Sequence, residues 1–197
     1  MSQEISNFIH GKRVAAADGQ TADLVDPSTG EVYATAPLSR QADRDAAFQD
    51  SARAFESWRD TTPSERQRAL LRIADAIEER ADELVDIESQ NTGKPKQLTA
   101  EEEVPPMCDQ IRFFAGAARV LEGTAAGEYM EGHTSFIRRE PVGVVASIAP
   151  WNYPIMMAGW KIGPALAAGN TVILKPSIRT PLTALVLAEI AADILPP

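Results

Sequence analysis

Two short segments carry the residue types from which a reaction site could be built. Ala149-Pro150-Trp151-Asn152-Tyr153-Pro154 follows one apolar run, and Lys175-Pro176-Ser177 follows another. In an open parallel sheet, ligands bind outside the carboxyl ends of the strands, which is where both segments would lie. Asn152 stands between a strand and a helix start, so its side chain has two uses. It can cap the helix, or it can aim an amide N–H at an oxyanion developing on a reacting carbonyl. Lys175 sits where ribose-recognising side chains are commonly found, and equally where a lysine is simply solvated. No G-x-G-x-x-G loop follows the first run, so a nucleotide here would not have its pyrophosphate cradled in the usual dinucleotide manner. The single cysteine, Cys108, lies beside Pro105-Pro106, away from these strand ends, and reads as a small packing residue. His10 and His133 fall in strand-like segments with no partner pattern and read as surface residues, so no metal is expected.

The elements that must position these residues follow from periodicity and turn chemistry. Asn7–Val14 reads as a hairpin with Gly11 near its turn, and Leu24–Tyr33 as a second one turning through Pro27 and Gly30. Phe48, Ala52, Phe55 and Trp58 recur at helical spacing and predict one apolar face on a helix within Ser39–Trp58. Thr62-Pro63-Ser64-Glu65 is a capping box with proline at the first helical position. Leu70, Ile73, Ile77, Leu84 and Ile87 then mark the stripe of one long helix, ended by Gly93 and Pro95. A third helix is predicted from near Thr99, capped with Glu102, broken at Pro105-Pro106, and resumed through Ile111, Phe114, Ala118 and Leu121 to near Gly123. Glu101-Glu102-Glu103 reads as a solvated helix start that favours the positive dipole end.

After Gly127 the pattern changes. His133–Arg139 reads as a polar strand, and Val142–Ala149 as an apolar strand covered on both faces. Pro154–Ala168 reads as a helix, Thr171–Leu174 as a short buried strand, and Thr180–Ile194 as a helix. Strand, helix, strand, helix opens a doubly wound α/β sheet. Two strands do not complete one, so the chain ending at Pro196-Pro197 is expected to be a truncated piece.

Composition excludes several function classes. Apolar residues make up 44% and charged residues 24% of the 197, and the net charge is −9. That balance is globular and argues against nucleic-acid or anionic-membrane partners. The longest apolar run, Val142–Trp160, is broken by Pro150, Asn152 and Pro154 and fails as a membrane span. Met1-Ser2-Gln3-Glu4 shows no signal-peptide pattern. A lone cysteine permits no internal disulfide, which fits a reduced, cytoplasmic setting.

The run Val142-Gly143-Val144-Val145 through Pro150-Trp151-Asn152-Tyr153-Pro154, then Trp160-Lys161, Pro164–Asn170 and Leu174-Lys175-Pro176-Ser177, resembles the aldehyde dehydrogenase superfamily. Asn91-Thr92-Gly93-Lys94-Pro95 and the earlier helices fit too, so the resemblance covers essentially the whole chain. Arg112–Arg119, Ala125–Tyr129 and Glu131–Ser135 resemble the gamma-aminobutyraldehyde dehydrogenase branch of putrescine breakdown, with betaine aldehyde dehydrogenases as close relatives. The implied fold is the N-terminal part of the aldehyde dehydrogenase fold. Residues 1–127 would supply the hairpins and helices of the first lobe, 128–141 an oligomerisation-arm strand, and 142–197 the first βαβα portion of the NAD(P)-binding domain.

The resemblance also implies a reaction. An aldehyde is oxidised to an acid with NAD or NADP through a cysteine thiolate and a glutamate-activated water. Asn152 falls on the oxyanion-hole asparagine and Lys161 on a lysine proposed for proton relay. Lys175 falls on the ribose-binding lysine. Ile148, Ala149, Pro150, Trp151, Ser177 and Ile178 fall on cofactor-side positions. Tyr153, Met157 and Trp160 fall on the substrate tunnel wall, although Met156, Met157 and Trp160 at helical spacing would by default be core packing. In aminoaldehyde members, acidic residues near Glu103 and Asp109 attract the substrate ammonium.

Two departures qualify this. The family's nucleophilic cysteine and general-base glutamate lie beyond residue 197, so the segment alone is expected to be inactive. NAD-preferring members place a carboxylate three residues after the lysine, where this chain has Ile178 followed by Arg179. A full-length enzyme is expected to take a small aldehyde, 4-aminobutanal first, and to form homo-oligomers. The alternatives are betaine aldehyde oxidation, or a non-catalytic nucleotide-binding or interaction module.

Overall fold

The computed structural model describes residues 3–196; the expectations resting on Met1, Ser2 and Pro197 lie outside the described residues. Strands β1 (Gln3–Glu4), β2 (Asn7–Ile9), β3 (Lys12–Val14), β4 (Thr21–Val25) and β5 (Val32–Pro37) come first. β2 and β3 form the expected hairpin, with Asn7 opposite Val14 and Ile9 opposite Lys12. Its two-residue turn holds His10 at φ 54° and Gly11 at φ 65°, the left-handed pair of a type I′ turn. The His10 backbone N–H donates to Asp50 at 2.8 Å, which helps hold a non-glycine residue there. β4 and β5 pair antiparallel around Gly30, and β1 adds parallel to β5.

Helices α1 (Gln41–Trp58), α2 (Pro63–Glu79), α3 (Ala81–Thr92), α4 (Lys96–Glu102) and α5 (Val104–Ala117) follow. The reciprocal Thr62/Glu65 capping box is present at the start of α2. The stripe expected to run along one helix instead belongs to two. At Arg80 the backbone leaves the helical region, at φ −106° and ψ 19°. Arg80 donates to Glu83 in the first turn of α3 at 2.7 and 2.8 Å. α2 packs chiefly on α5 and α6, whereas α3 packs on α4 and α7, and α7 touches both. Leu84 is buried in phase with Ile77, so periodicity passes through the break without registering it.

Three more expectations are corrected. α4 starts at Lys96, with Thr99 buried inside it, and the predicted break lies at Glu103, leaving Pro105 and Pro106 in the first turn of α5. There their missing N–H groups cost nothing. α5 ends at Ala117, and Leu121 is exposed. On α1, Phe48 and Ala52 are exposed, and Trp58 is the apolar residue it buries, its indole N–H donating to the Leu166 carbonyl at 3.3 Å.

Strand β6 (Thr124–Met130) pairs antiparallel with β7 (His133–Ile137) in a solvent-exposed hairpin. Then come β8 (Val144–Ile148), α6 (Pro154–Ala167), β9 (Thr171–Lys175) and α7 (Leu182–Ala192). The main core joins α2, α5, α6 and α7 through Leu70, Ile73, Met107, Ile111, Ile155 and Ile190. β8 is only partly covered, with Ile148 69% exposed, so the expected double cover of Val142–Ala149 is not supplied by the described residues.

α5 and α6 approach closely at Gly159, where an added Cβ would lie 2.3 Å from Met107 Cγ. Met107 is fully buried in the main core. Gly159→Ala is therefore expected to destabilise the fold by about 1–3 kcal/mol, read as a lower denaturant midpoint. On a Met107→Ala background the added Gly159→Ala change should cost much less than in the parent; an equal cost on both backgrounds would place the strain elsewhere.

Candidate active site

β8 and β9 run parallel and in register, from Val144 opposite Thr171 to Ile148 opposite Lys175. The Ala149 N–H extends the ladder, donating to the Lys175 carbonyl at 3.0 Å. The two segments singled out by residue type therefore lie side by side at the carboxyl ends of adjacent parallel strands. At the opposite end, the Asn170 side-chain oxygen accepts from the Val142 and Gly143 N–H groups at 2.7 and 3.1 Å, fixing where β8 begins.

Asn152 is exposed and immediately precedes the start of α6. The N-cap residue of α6 is Tyr153, at φ −140° and ψ 61°, and no side chain caps the helix. Pro154 takes the first helical position, where a missing N–H costs nothing. The capping role is thus ruled out for Asn152, and its amide is left for other use. On α6, Ile155, Ala158 and Gly159 face the core. Tyr153, Met157 and Lys161 are half-buried, and Trp160 is more exposed.

The rest of the predicted set divides. Ala149 is buried, Pro150 is half-buried and Trp151 is 64% exposed. Lys175 is exposed, its ammonium donating to the Pro176 carbonyl at 2.9 Å. Half-buried Ser177 accepts the Arg179 N–H at 3.2 Å, and Ile178 is exposed. Glu103 is fully buried and faces Lys94 instead of solvent, whereas Asp109 is exposed on α5. Cys108 is fully buried, and burial pushes its thiol up to about 11. It is a packing residue with no access to a carbonyl carbon.

Behind the Asn152 turn lies a polar cluster that the sequence did not assemble: in sequence Glu103 reads as a helix start or a substrate contact, Lys94 only as part of a motif, and Glu88 not at all. The Lys94 ammonium donates to the Asn152 backbone carbonyl at 2.9 Å, pairs with Glu103, and sits 4.1 Å from the centre of the Tyr153 ring. Glu88, fully buried, accepts the Ile155 N–H at 3.3 Å and the Thr183 hydroxyl at 2.7 Å. Burial, aided by the Glu103 charge, pushes the Glu88 carboxyl up to about 7. Burial also raises that of Glu103, against the pull of Lys94. Gly93 ends α3 at φ 76°, where a Cβ would lie 2.8 Å from Pro27. That left-handed residue turns Lys94 toward the site. One signal was available: Glu88 and Asn91 fall at i+4 and i+7 from buried Leu84, polar residues in register with an apolar stripe.

The aldehyde dehydrogenase family model matches residues 14–197. The chain belongs to the aldehyde dehydrogenase family. Acetaldehyde dehydrogenase 2 of Cupriavidus necator is 42% identical over 195 residues, covering 99% of this chain and 38% of its own. Fluoroacetaldehyde dehydrogenase of Streptantibioticus cattleyicolor is 43% identical over 191 residues, covering 97% and 38%. The NAD+ complex of aldehyde dehydrogenase from Bacillus cereus shares the fold with a TM-score of 0.93 at 36% identity, covering 99% of this chain and 40% of that one. The chain thus spans about two fifths of the length of these aldehyde dehydrogenases. It is an α/β piece matching the N-terminal part of their structures. No helix among the described residues is long and apolar enough to cross a membrane.

Proposed function

We propose that a full-length enzyme carrying this segment oxidises a small aldehyde to the carboxylic acid with NAD or NADP, 4-aminobutanal to 4-aminobutanoate being the leading substrate. The observation that carries this is the uncapped start of α6, which leaves an exposed asparagine amide at the carboxyl ends of two parallel strands. That amide would donate to the oxyanion formed when a thiolate attacks the aldehyde carbonyl. Lys161, half-buried one turn beyond Met157, would relay a proton, and Tyr153, Met157 and Trp160 would wall the substrate path. Lys175 is exposed, its register partner Ile148 is exposed, and Ile178 follows three residues on. Exposed apolar side chains at Ile148 and Ile178 near an exposed lysine in sequence and register would suit an adenosine, with the base against Ile148 or Ile178 and a ribose hydroxyl at Lys175. Ala149, Pro150, Trp151 and Ser177 would complete that wall. NAD or NADP supplies the hydride acceptor. The nucleophile would come from outside this segment, because Cys108 is buried and its thiol held protonated. The segment by itself would be inactive.

The aminoaldehyde assignment is supported by the resemblance at Arg112–Arg119 and Ala125–Ser135. Asp109, exposed on α5, is a candidate contact for the substrate ammonium. Glu103 would act only through Lys94. Exposed Tyr129, Phe136 and Ile137 on the β6–β7 hairpin support association of full-length copies through an arm. The test is kcat/KM of the full-length enzyme with 4-aminobutanal, betaine aldehyde and acetaldehyde. 4-Aminobutanal should be preferred. A preference for betaine aldehyde would move the enzyme to that branch, and no turnover of any of them would overturn the proposal.

Ile178 should set coenzyme choice. Isoleucine neither accepts a ribose hydrogen bond nor repels a 2′-phosphate. Ile178→Glu is expected to improve NAD use by one or two hydrogen bonds, about 1 kcal/mol each, and to worsen NADP use. The check is kcat/KM with each coenzyme; an unchanged NAD to NADP ratio would mean that residue 178 does not face the ribose.

A further inference from the structure

We propose that Lys94 is a positioning residue: its ammonium clamps the Asn152 backbone carbonyl and so limits where the Asn152 side chain leaves the turn. The proposal rests on the reading of Asn152 as the oxyanion donor.

The turn Asn152–Ile155 is held from its buried side at both ends. Lys94 grips the carbonyl of Asn152, and Glu88 grips the N–H of Ile155. Both holding groups come from α3 and the residue after its C-cap. Each is itself fixed by a partner on another element. Glu103, fully buried where α4 meets α5, pairs with Lys94, and Thr183 on α7 donates to Glu88. An ammonium has three N–H donors. In Lys94 these face the Glu103 carboxylate, the Asn152 carbonyl and the Tyr153 ring, which orients the head group fully. The carbonyl of residue 152 belongs to the peptide plane next to its own Cα. Holding that plane restrains the backbone on the C-terminal side of the Asn152 Cα, and so limits where the Cα–Cβ bond leaves the turn, from which the exposed amide extends. With no side-chain cap on α6, the clamp does for this turn what a cap would do elsewhere, while leaving the asparagine amide free. An oxyanion donor acts only if held within a few tenths of an ångström of its place, so a clamp on its backbone should appear in rate more than in binding.

The test uses the full-length enzyme and separates positioning from folding. Lys94→Met removes the clamp but also leaves Glu103 buried without its partner, so the melting temperature should fall. Adding Glu103→Gln removes that uncompensated charge, and the melting temperature should recover. kcat should stay about tenfold to a hundredfold down in both variants, with KM for aldehyde and coenzyme unchanged. On an Asn152→Ala background the Lys94 change should cost little more. Recovery of kcat along with the melting temperature in the double variant would overturn the proposal, as would wild-type kcat in Lys94→Met. If Asn152→Ala itself keeps wild-type kcat, the reading of Asn152 falls first. If Asn152→Ala is slow and the Lys94 variants are not, only the clamp falls.

Discussion

Asn152→Ala in a full-length enzyme carrying this segment should lower kcat by about a hundred- to a thousandfold while leaving aldehyde KM and melting temperature near their original values. The magnitude is that of one lost oxyanion donor, about 2.7–4 kcal/mol of transition-state stabilisation. An asparagine that capped α6 would behave differently: its loss would cost about 1 kcal/mol of stability and little rate. The structure excludes the cap, because Tyr153 is the N-cap residue and α6 has no side-chain cap. Thermal melting and steady-state kinetics on the same preparation decide the matter. A stable variant with unchanged kcat would remove the amide from the reaction, and a destabilised one with unchanged kcat would return it to a structural role.

Glu88 should make the fold less stable as pH rises from about 4.5 to about 7. Its carboxyl is raised from the ordinary 4.5 to about 7 in the folded protein, chiefly by burial and then by the charge of Glu103, against the hydrogen bonds from Thr183 and Ile155 and the charge of Lys94. Between those two values the folded chain holds a proton that the unfolded chain has released. Stability therefore falls across that window and levels above it. Between pH near 5 and pH near 8 the loss from this one group is roughly 2–3 kcal/mol. Glu88→Gln, which cannot ionise, should lose that part of the slope and so be less costly at the higher pH than at the lower. Denaturant unfolding of both forms at the two pH values measures this. An equal slope in both would show that Glu88 ionises without penalty.

What could be read without coordinates was whatever acts over a few residues. The Thr62/Glu65 box and the left-handed turns at Gly11 and Gly30 are short-range devices, and each appears where it was expected. The order β8, α6, β9, α7, with Asn152 and Lys175 at the strand ends, followed from apolar runs alternating with turn residues. Tertiary structure decided what depends on elements far apart in the chain. The stripe through Leu70, Ile73, Ile77 and Leu84 keeps its phase across Arg80, so it gives no sign of the break between α2 and α3, beyond which the main packing partners change from α5 and α6 to α4 and α7. Glu103 looked like a solvated carboxylate at a helix start. It is buried because Lys94, on the far side of α4, meets it there. Asn152 could have been a cap until the backbone at Tyr153 took that position. Local propensity is set by neighbours in sequence, whereas the partner of a buried charge and the direction of a turn are set by which helices pack against it.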